Sequence, residues 1–278
     1  MKGETNSAGF TIVETLLVLG VTSLLFVMVM ITLGGKQNKA QFQQSVRDIQ
    51  TKVQQTINEV STGYYPDTQD FTCVQGSDVL LGGNMPVIAP AAAGTVGQGK
   101  NDQCVFLGKV LQFSVNGTTP EQYNTYSMAG LRSATDWLGV KPTPIDDTGI
   151  NPVPQINVTT KNFLSYGLEA VSMKYFDGSG PHDTNVVGFL SQVGDLGNSG
   201  SYESGAVDLV AVPGLGLGST ESATITTLRN GHLRTAAINP VGGVVICFKS
   251  GTTNDTALLS IGSNGHNLAV KLEIKACS

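Results

Sequence analysis

A stretch near the start of the chain decides the fold: AGFTIVETLLVLGVTSLLFVMVMITLGG, residues 8–35. From Thr15 to Gly35 it contains no charged side chain. A helix over these 21 residues extends about 31 Å, close to the roughly 30 Å hydrocarbon core of a bilayer. The run therefore predicts a membrane-spanning helix; the alternative is a helix buried in a protein core.

The residues before this run do not form an ordinary secretory signal peptide. Such a signal carries its small cleavage-site residues after the apolar region, whereas here the small pair Ala8-Gly9 precedes it. Cleavage after Gly9 would remove a polar leader, residues 1–9, and leave the apolar helix on the mature protein. The new N-terminus would be Phe10.

The segment GFTIVE (9–14) followed by LLVL (16–19) resembles the class III signal of type IV prepilins and type II secretion pseudopilins. The resemblance covers residues 1 to about 61. It implies that a prepilin peptidase cuts between Gly9 and Phe10 and then methylates the amino group of Phe10. It also implies assembly into a filament through the N-terminal helix, with an inner-membrane assembly platform and other pilin subunits as partners.

Glu14 is a functional candidate on physical grounds as well. A carboxylate at the centre of a bilayer costs about 2.5–3.5 kcal/mol, so a charge in such a helix calls for an explanation. Near the start of the helix the cost is lower, and the helix N-terminus favours a negative charge. One interpretation is a carboxylate resting at the membrane interface. The resemblance implies another, a pair between Glu14 and the Phe10 amine of a neighbouring subunit.

The expected location follows from the cleavage motif. Before assembly the chain is a single-pass cytoplasmic membrane protein with its head outside the cytoplasm, and afterwards it is part of an extracellular filament. Lys36 and Lys39 follow the span, whereas the leader offers Lys2 offset by Glu4. Positive residues favour the cytoplasmic side, so charge alone weakly favours the opposite orientation, and we give the motif more weight.

The next segment, residues 36–61, is an amphipathic helix. Its apolar residues recur at intervals of three and four, with polar residues between them, which predicts one stripe facing the core under a sheet. Gly63 is the predicted stop, and Gly34-Gly35 is a predicted bend or melted point. A helix from Phe10 to Ser61 would be roughly 78 Å long. The stripe consists of Phe42, Val46, Ile49, Val53, Ile57 and Val60.

The remainder, residues 62–278, is predicted to be a β-rich globular head, which makes the fold class α+β. SNGH (263–266) predicts a hairpin turn, and 82–101 and 139–155 are predicted long loops. We prefer one head; the alternative is two modules with a seam near 140–155. The predicted strands are 104–115, 156–160, 168–176, 185–190, 206–213, 223–228, 242–248 and 267–276.

Four cysteines fit an exported protein. Cys73 and Cys104, and likewise Cys247 and Cys277, lie about 30 residues apart, and none forms a CxxC motif. An even number outside the cytoplasm favours disulfides over free thiols. Four cysteines allow three pairings; we favour the local one, 73 with 104 and 247 with 277.

Composition and motifs favour a structural protein over an enzyme. Charged residues make up 13% and the net charge is −5, so there is no nucleic-acid-binding surface to infer. GTVGQGKN (94–101) lacks the final hydroxyl of a phosphate loop. The glycines of PGLGLGS (213–219) do not fit a dinucleotide loop, and β-branched TESATITT follows. The three histidines lack zinc spacing. We expect no cofactor and no metal, with calcium at 177–183 or 195–203 as the alternative.

The function expected from the sequence is a subunit of a type IV pilus-like filament, a minor pilin or a pseudopilin. The alternatives are a major pilin, or a tip adhesin or other membrane-anchored surface binding protein. A membrane-anchored enzyme is the remaining class, and no catalytic constellation in the sequence favours it.

Overall fold

The computed structural model describes residues 11–63, 71–78, 83–90, 104–115, 119–131, 153–191, 207–230, 242–264 and 267–277. Within these ranges the chain forms one long N-terminal helix and a β-rich region with two five-stranded antiparallel sheets. The fold class is therefore α+β, as predicted.

The first helix, α1, runs from Ile12 to Ser61. Thr11 is its N-cap, and the Thr11 hydroxyl accepts a hydrogen bond from the backbone N–H of Glu14 at 3.3 Å. The helix continues through Gly34 and Gly35, so the chain is not melted there. It ends where predicted, with Gly63 in a left-handed conformation (φ +65°), which glycine adopts at little cost.

The two halves of α1 have opposite environments. From Ile12 to Ile31 its large apolar side chains are all more than half exposed. The predicted stripe from Phe42 to Val60 is buried, and no member is more than 9% exposed. The period of three and four residues thus identified the face of α1 that packs on the head.

The strands form two large sheets and a separate hairpin, and all their pairs are antiparallel. One sheet has the order β12-β11-β10-β6-β7 and the other β5-β4-β3-β8-β9, while β1 pairs with β2. The strands are β1 Phe71–Asp78, β2 Gly83–Pro90, β3 Cys104–Val115, β4 Thr119–Leu131, β5 Val153–Phe163, β6 Leu168–Asp177, β7 Gly180–Asp183, β8 Val186–Ser191, β9 Val207–Ala211, β10 Val244–Ser250, β11 Thr256–Asn264 and β12 Asn267–Glu273.

One hydrophobic core joins α1 to both large sheets. Its cluster contains the α1 stripe and side chains from strands of each sheet. Phe113 of β3 meets Phe248 of β10 edge to face, with ring centroids 5.9 Å apart, a favourable aromatic geometry. The two sheets therefore pack against each other as well as against the helix.

A second cluster covers the other face of the β5-β4-β3-β8-β9 sheet. It is closed by a second helix, α2 (Glu221–Asn230), and by Leu215 from the loop before α2. The inner strands β3 and β8 are consequently covered on both faces, which explains why β8 is buried from Val186 to Leu190.

Two local predictions were wrong. Residues 223–228 were predicted to be a strand but lie in α2, where Thr220 caps the helix through its hydroxyl, which accepts from the Ala223 N–H at 3.1 Å. Thr224 and Leu228, four residues apart, are both fully buried, and this packing outweighs the low helix propensity of β-branched residues. Residues 82–101 were predicted to be a loop but contain β2.

The predicted seam lies mostly outside the described residues. Positions 140–152 are not described, and Val153 begins β5. The strands that flank this stretch, β4 and β5, are paired neighbours in one sheet. The predicted hairpin at 263–266 is present, since Asn264 of β11 is paired with Asn267 of β12.

Candidate functional site

The predicted cleavage site lies just before the described residues. Gly9 and Phe10 are not described, and the described chain begins at Thr11 in an extended conformation (φ −77°, ψ 149°). Because α1 begins at Ile12, the predicted cleaved bond precedes the helix cap. Cleavage between Gly9 and Phe10, and methylation of Phe10, remain predictions.

Glu14 occupies the third position of α1 and is exposed. With Thr11 as N-cap it completes the Thr-x-x-Glu pattern of a capping box, of which the hydrogen bond from the Glu14 N–H to the Thr11 hydroxyl is one half. A negative charge in the first turn is also favoured by the helix dipole. Among the described residues Glu14 has no ion-pair partner, so its carboxylate is available to a cation outside that part of the chain. The capping pattern is a signal that the sequence contained and our sequence interpretation did not use.

The first half of α1 presents an apolar surface on all sides. Of the helices in the described ranges, α1 is the one long and apolar enough to cross a bilayer. Thr15 and Thr22 do not interrupt this surface, because their hydroxyls donate to the helix's own carbonyls. Thr15 bonds to Ile12 O at 2.9 Å and Thr22 to Val18 O at 2.8 Å.

The second half of α1 is fastened to the head at three levels. Ser45 Oγ donates to the backbone carbonyl of Ser165 at 2.6 Å, and Gln50 Nε2 donates to that of Val270 at 3.2 Å. Farther along, Glu59 forms an ion pair with Lys109 of β3, whose side chain is 11% exposed. Residues 45 and 59 are about 21 Å apart along the helix, so α1 and the head are held together over most of the length of the contact.

A disulfide closes the C-terminal part of the head. Cys247, buried in β10, is joined to Cys277, with Cα atoms 5.9 Å apart. Cys277 follows β12, which β11 separates from β10 in the sheet, so the disulfide ties the segment after β12 back to β10. This is one of the two predicted local pairs. Cys73 lies in β1 and Cys104 begins β3, but their side chains are not described and their pairing remains a prediction.

Of the two loops considered for calcium, 177–183 is a tight turn between β6 and β7, and 195–203 lies outside the described residues. The Asp177 carboxylate accepts from the hydroxyl and N–H of Ser179, both at 2.7 Å, and from the Gly180 N–H at 3.1 Å. These bonds, with the nearby His182, lower the pKa of Asp177 to about 2. The carboxylate is already used within the turn, and the described residues contain no group of three or more acidic, His or Cys side chains suited to a metal ion.

The same turn brings serine, histidine and aspartate together, which the sequence did not suggest. However, one atom, His182 Nε2, contacts both Ser179 Oγ at 2.9 Å and Asp177 Oδ1 at 3.1 Å. A catalytic triad uses opposite nitrogens of the ring for these two bonds. The cluster is therefore a turn-stabilising arrangement and lacks the geometry of a nucleophilic site.

The glycine-rich loop 213–219 lies between β9 and α2, which is the strand-loop-helix context of a nucleotide loop. Its glycine spacing still does not match. The first turn of α2 carries Glu221, whose charge disfavours an anion at the helix start. Comparisons of the chain with protein-family models, with curated proteins and with solved structures found no match.

Proposed function

We propose that this protein is a subunit of a type IV pilus-like filament, a minor pilin or a pseudopilin, which is processed by a prepilin peptidase and assembled through α1. The observation that carries the proposal is the division of α1 into an exposed apolar half and a half buried in the head. The cleavage-like segment GFTIVE stands directly at the start of the exposed half.

The exposed half of α1 requires a cover. Between Ile12 and Ile31 it exposes fifteen large apolar side chains, each worth about 1.5–3 kcal/mol when fully buried. Their sum exceeds the roughly 5–15 kcal/mol by which a typical domain is stable. In the proposed function lipid covers this half before assembly and neighbouring helices cover it afterwards, so the transfer from membrane to filament keeps the apolar surface out of water.

Glu14 is assigned the assembly contact. Its carboxylate is exposed at the start of the apolar half, and lipid is a costly environment for a charge. A positive group on a neighbouring subunit would compensate that charge in the filament, and the amine of Phe10 after cleavage is such a group. The pair would define the position of one subunit relative to the next.

The head favours a specialised subunit. It comprises about 217 residues, with two packed sheets and a low overall charge, and a large head restricts how many subunits pack side by side.

A membrane-anchored surface binding protein that never polymerises is the second candidate. The capping geometry favours it, because Thr11 and Glu14 then have a local structural reason to be present and no subunit contact is needed. The two functions differ at the N-terminus: the filament subunit is cleaved and the simple anchor is not.

The test is mass spectrometry of the N-terminal peptide of the protein isolated from its membrane. We expect a chain that begins with N-methylated Phe10, and a Gly9→Leu variant that retains residues 1–9. Ala8→Ser is the matched control and should be processed normally. An intact Met1, or cleavage after residue 35, would overturn the proposal. A separate measurement, the amount of the protein in sheared filaments, distinguishes a minor from a major subunit.

A further inference from the structure

One end of the head carries exposed aromatic side chains. Phe163, at the end of β5, is 69% exposed, and Tyr166, in the 3₁₀ turn Ser165–Gly167, is 51% exposed. Outside α1, the described residues include one other large apolar side chain that is more than half exposed, Ile274. Exposed apolar groups of the head are thus concentrated at a few positions.

These positions lie at the end of the head that faces the apolar half of α1. The turn is fixed to α1 by the bond from Ser45 to the Ser165 carbonyl, the first of the three levels of attachment. The Gly251 N–H donates to the Gly167 carbonyl at 2.8 Å, which brings the loop Ser250–Asp255 beside the turn. We call Phe163, Tyr166 and this loop the collar.

Tyr166 is held in an unfavourable backbone conformation. Its φ and ψ are +54° and +36°, the left-handed region, where a residue with a side chain costs of the order of 1–3 kcal/mol. Because about half of Tyr166 is exposed, packing of its ring within the chain offsets little of this free-energy cost. Strain combined with an exposed aromatic ring indicates a contact made outside the isolated chain.

A polar cleft accompanies the aromatic side chains. It has a volume of about 370 Å³ and is lined by the loop Gly251–Asn254 together with Glu169, Lys249 and Ser250. The cleft thus combines the ammonium group of Lys249 and the carboxylate of Glu169 with hydroxyls and an amide. A headgroup such as phosphatidylethanolamine carries a phosphate and an ammonium group that these two charges can meet, and tyrosine is enriched at membrane–water interfaces. Ile274 is at the same end of the head. The carbonyl of its neighbour Lys275 accepts a hydrogen bond at 2.9 Å from the hydroxyl of Thr256, the residue that directly follows the loop Ser250–Asp255.

The length of the helix places the collar near the membrane surface. The uncharged run ends at Gly35, and Ser45 follows ten residues later, about 15 Å farther along the helix. The headgroup zone occupies roughly 5–7 Å of this distance, so Ser45 lies about 8–10 Å beyond it when the helix is upright. A transmembrane helix tilts by about 20° on average, which lowers one side of the head toward the lipid.

We propose that the collar rests on the phospholipid headgroups of the bilayer that holds α1 before assembly. The aromatic rings enter the interface and the polar cleft receives headgroup atoms, so the head is held in a defined tilt until the helix leaves the membrane. This inference depends on the membrane anchoring in the proposed function, and it does not depend on cleavage or on filament formation.

Tryptophan fluorescence in single-copy nanodiscs tests the proposal. The chain has one tryptophan, so a Trp137→Phe background allows single reporters to be placed by Tyr166→Trp and, in a separate variant, Phe163→Trp. Asn58→Trp is the matched control on the part of α1 that packs on the head, about 20 Å farther from the membrane along the helix, and Leu17→Trp reports on the span. The discs contain phosphatidylethanolamine and phosphatidylglycerol with a headgroup spin label or brominated acyl chains.

We expect the headgroup label to quench either collar reporter at least roughly twofold more than the Asn58→Trp control, as for aromatic residues at an interface. Brominated chains should quench Leu17→Trp. If Leu17→Trp is quenched and both collar reporters behave like the control, the collar proposal is overturned and the anchoring stands. If Leu17→Trp is not quenched, both are overturned. Quenching that requires several copies per disc would assign the collar to a second copy of the chain and would also overturn the proposal.

Discussion

The ion pair between Glu59 and Lys109 allows a direct test of how α1 is attached to the head. The side chains are 22% and 11% exposed, so the ammonium group of Lys109 lies largely out of water. Glu59 also accepts from Gln55 Nε2 at 2.8 Å on the same helix. Glu59→Ala removes the carboxylate that compensates Lys109, so the ammonium group of Lys109 stays largely buried without a negative charge beside it.

The expected magnitude follows from the burial. Removal of one partner of a fully buried ion pair costs about 3–5 kcal/mol, and the remaining exposure reduces this cost, so we expect Glu59→Ala to lower the free energy of unfolding by about 2–3 kcal/mol. Lys109→Met should cost less, because a carboxylate at 22% exposure is better able to reach water. The double variant Glu59→Ala/Lys109→Met should lose less stability than the sum of the two single changes, because no unpaired charge is left.

Urea unfolding of the full chain in a mild detergent, followed by circular dichroism, measures these changes. The control is Glu121→Ala, which removes an exposed carboxylate and should stay within about 0.5 kcal/mol of the parent. A Glu59→Ala variant as stable as this control would refute the reasoning. Strict additivity of the two single changes in the double variant would also refute it, since residues in direct contact are expected to couple.

Three further predictions concern assembly, backbone strain and pH. Glu14→Ala should leave leader processing intact and abolish filaments, as judged by immunoblot and by shearing; normal filaments would contradict the assigned role. Gly243→Ala should destabilise the head by more than about 2 kcal/mol, because φ of Gly243 is +81° and an added Cβ atom would lie 2.3 Å from the Ile261 carbonyl oxygen. The control is Gly216→Ala, because a Cβ atom there would meet nothing within 4 Å. Equal melting temperatures of the two variants would contradict the argument. Asp177 has a folded-state pKa of about 2, below its unfolded value, so its contribution is complete above the unfolded pKa and is lost as the pH falls from there toward 2. NMR titration of the Asp177 carboxyl carbon should give this low pKa, and a midpoint near 4, the ordinary value, would show that the turn does not hold the carboxylate.

The periodic parts of the chain were predictable from the sequence. The stripe from Phe42 to Val60 repeats with the helical period, and burial of every third or fourth residue leaves a pattern that needs no knowledge of the partner surface. Strands β3 and β8 were predictable because both faces of their sheet are buried, which produces continuous apolar runs. The Thr-x-x-Glu pattern at the start of α1 also predicts a capping box. The sequence interpretation did not use this pattern, because it explained Glu14 by its position in an apolar run.

The parts that were missed depend on tertiary contacts. The sequence of β4 is polar because its buried side chains include Asn124. The Asn124 amide donates to the hydroxyl of Tyr126 at 3.3 Å, and this hydroxyl donates to the side chain of Gln112 in β3 at 2.6 Å. Polar residues are tolerated in a sheet when such bonds satisfy them. α2 is helical because the second core cluster buries Leu228, and the cluster is assembled from strands distant in sequence. The Ser179–His182 contact depends on the turn that pairs β6 with β7.

The three levels of attachment along α1 also determine how the protein bears force. A pull along the helix axis acts on the bonds at Ser45, Gln50 and Glu59, and on the buried stripe between them, at the same time. All of them must yield together, in contrast to a hairpin that is peeled open one bond at a time. On the other side of this joint, the disulfide at Cys247 prevents the last strand from being drawn out of the sheet. In the proposed filament, tension along α1 would therefore pass from the helix into the head without loosening the joint between them.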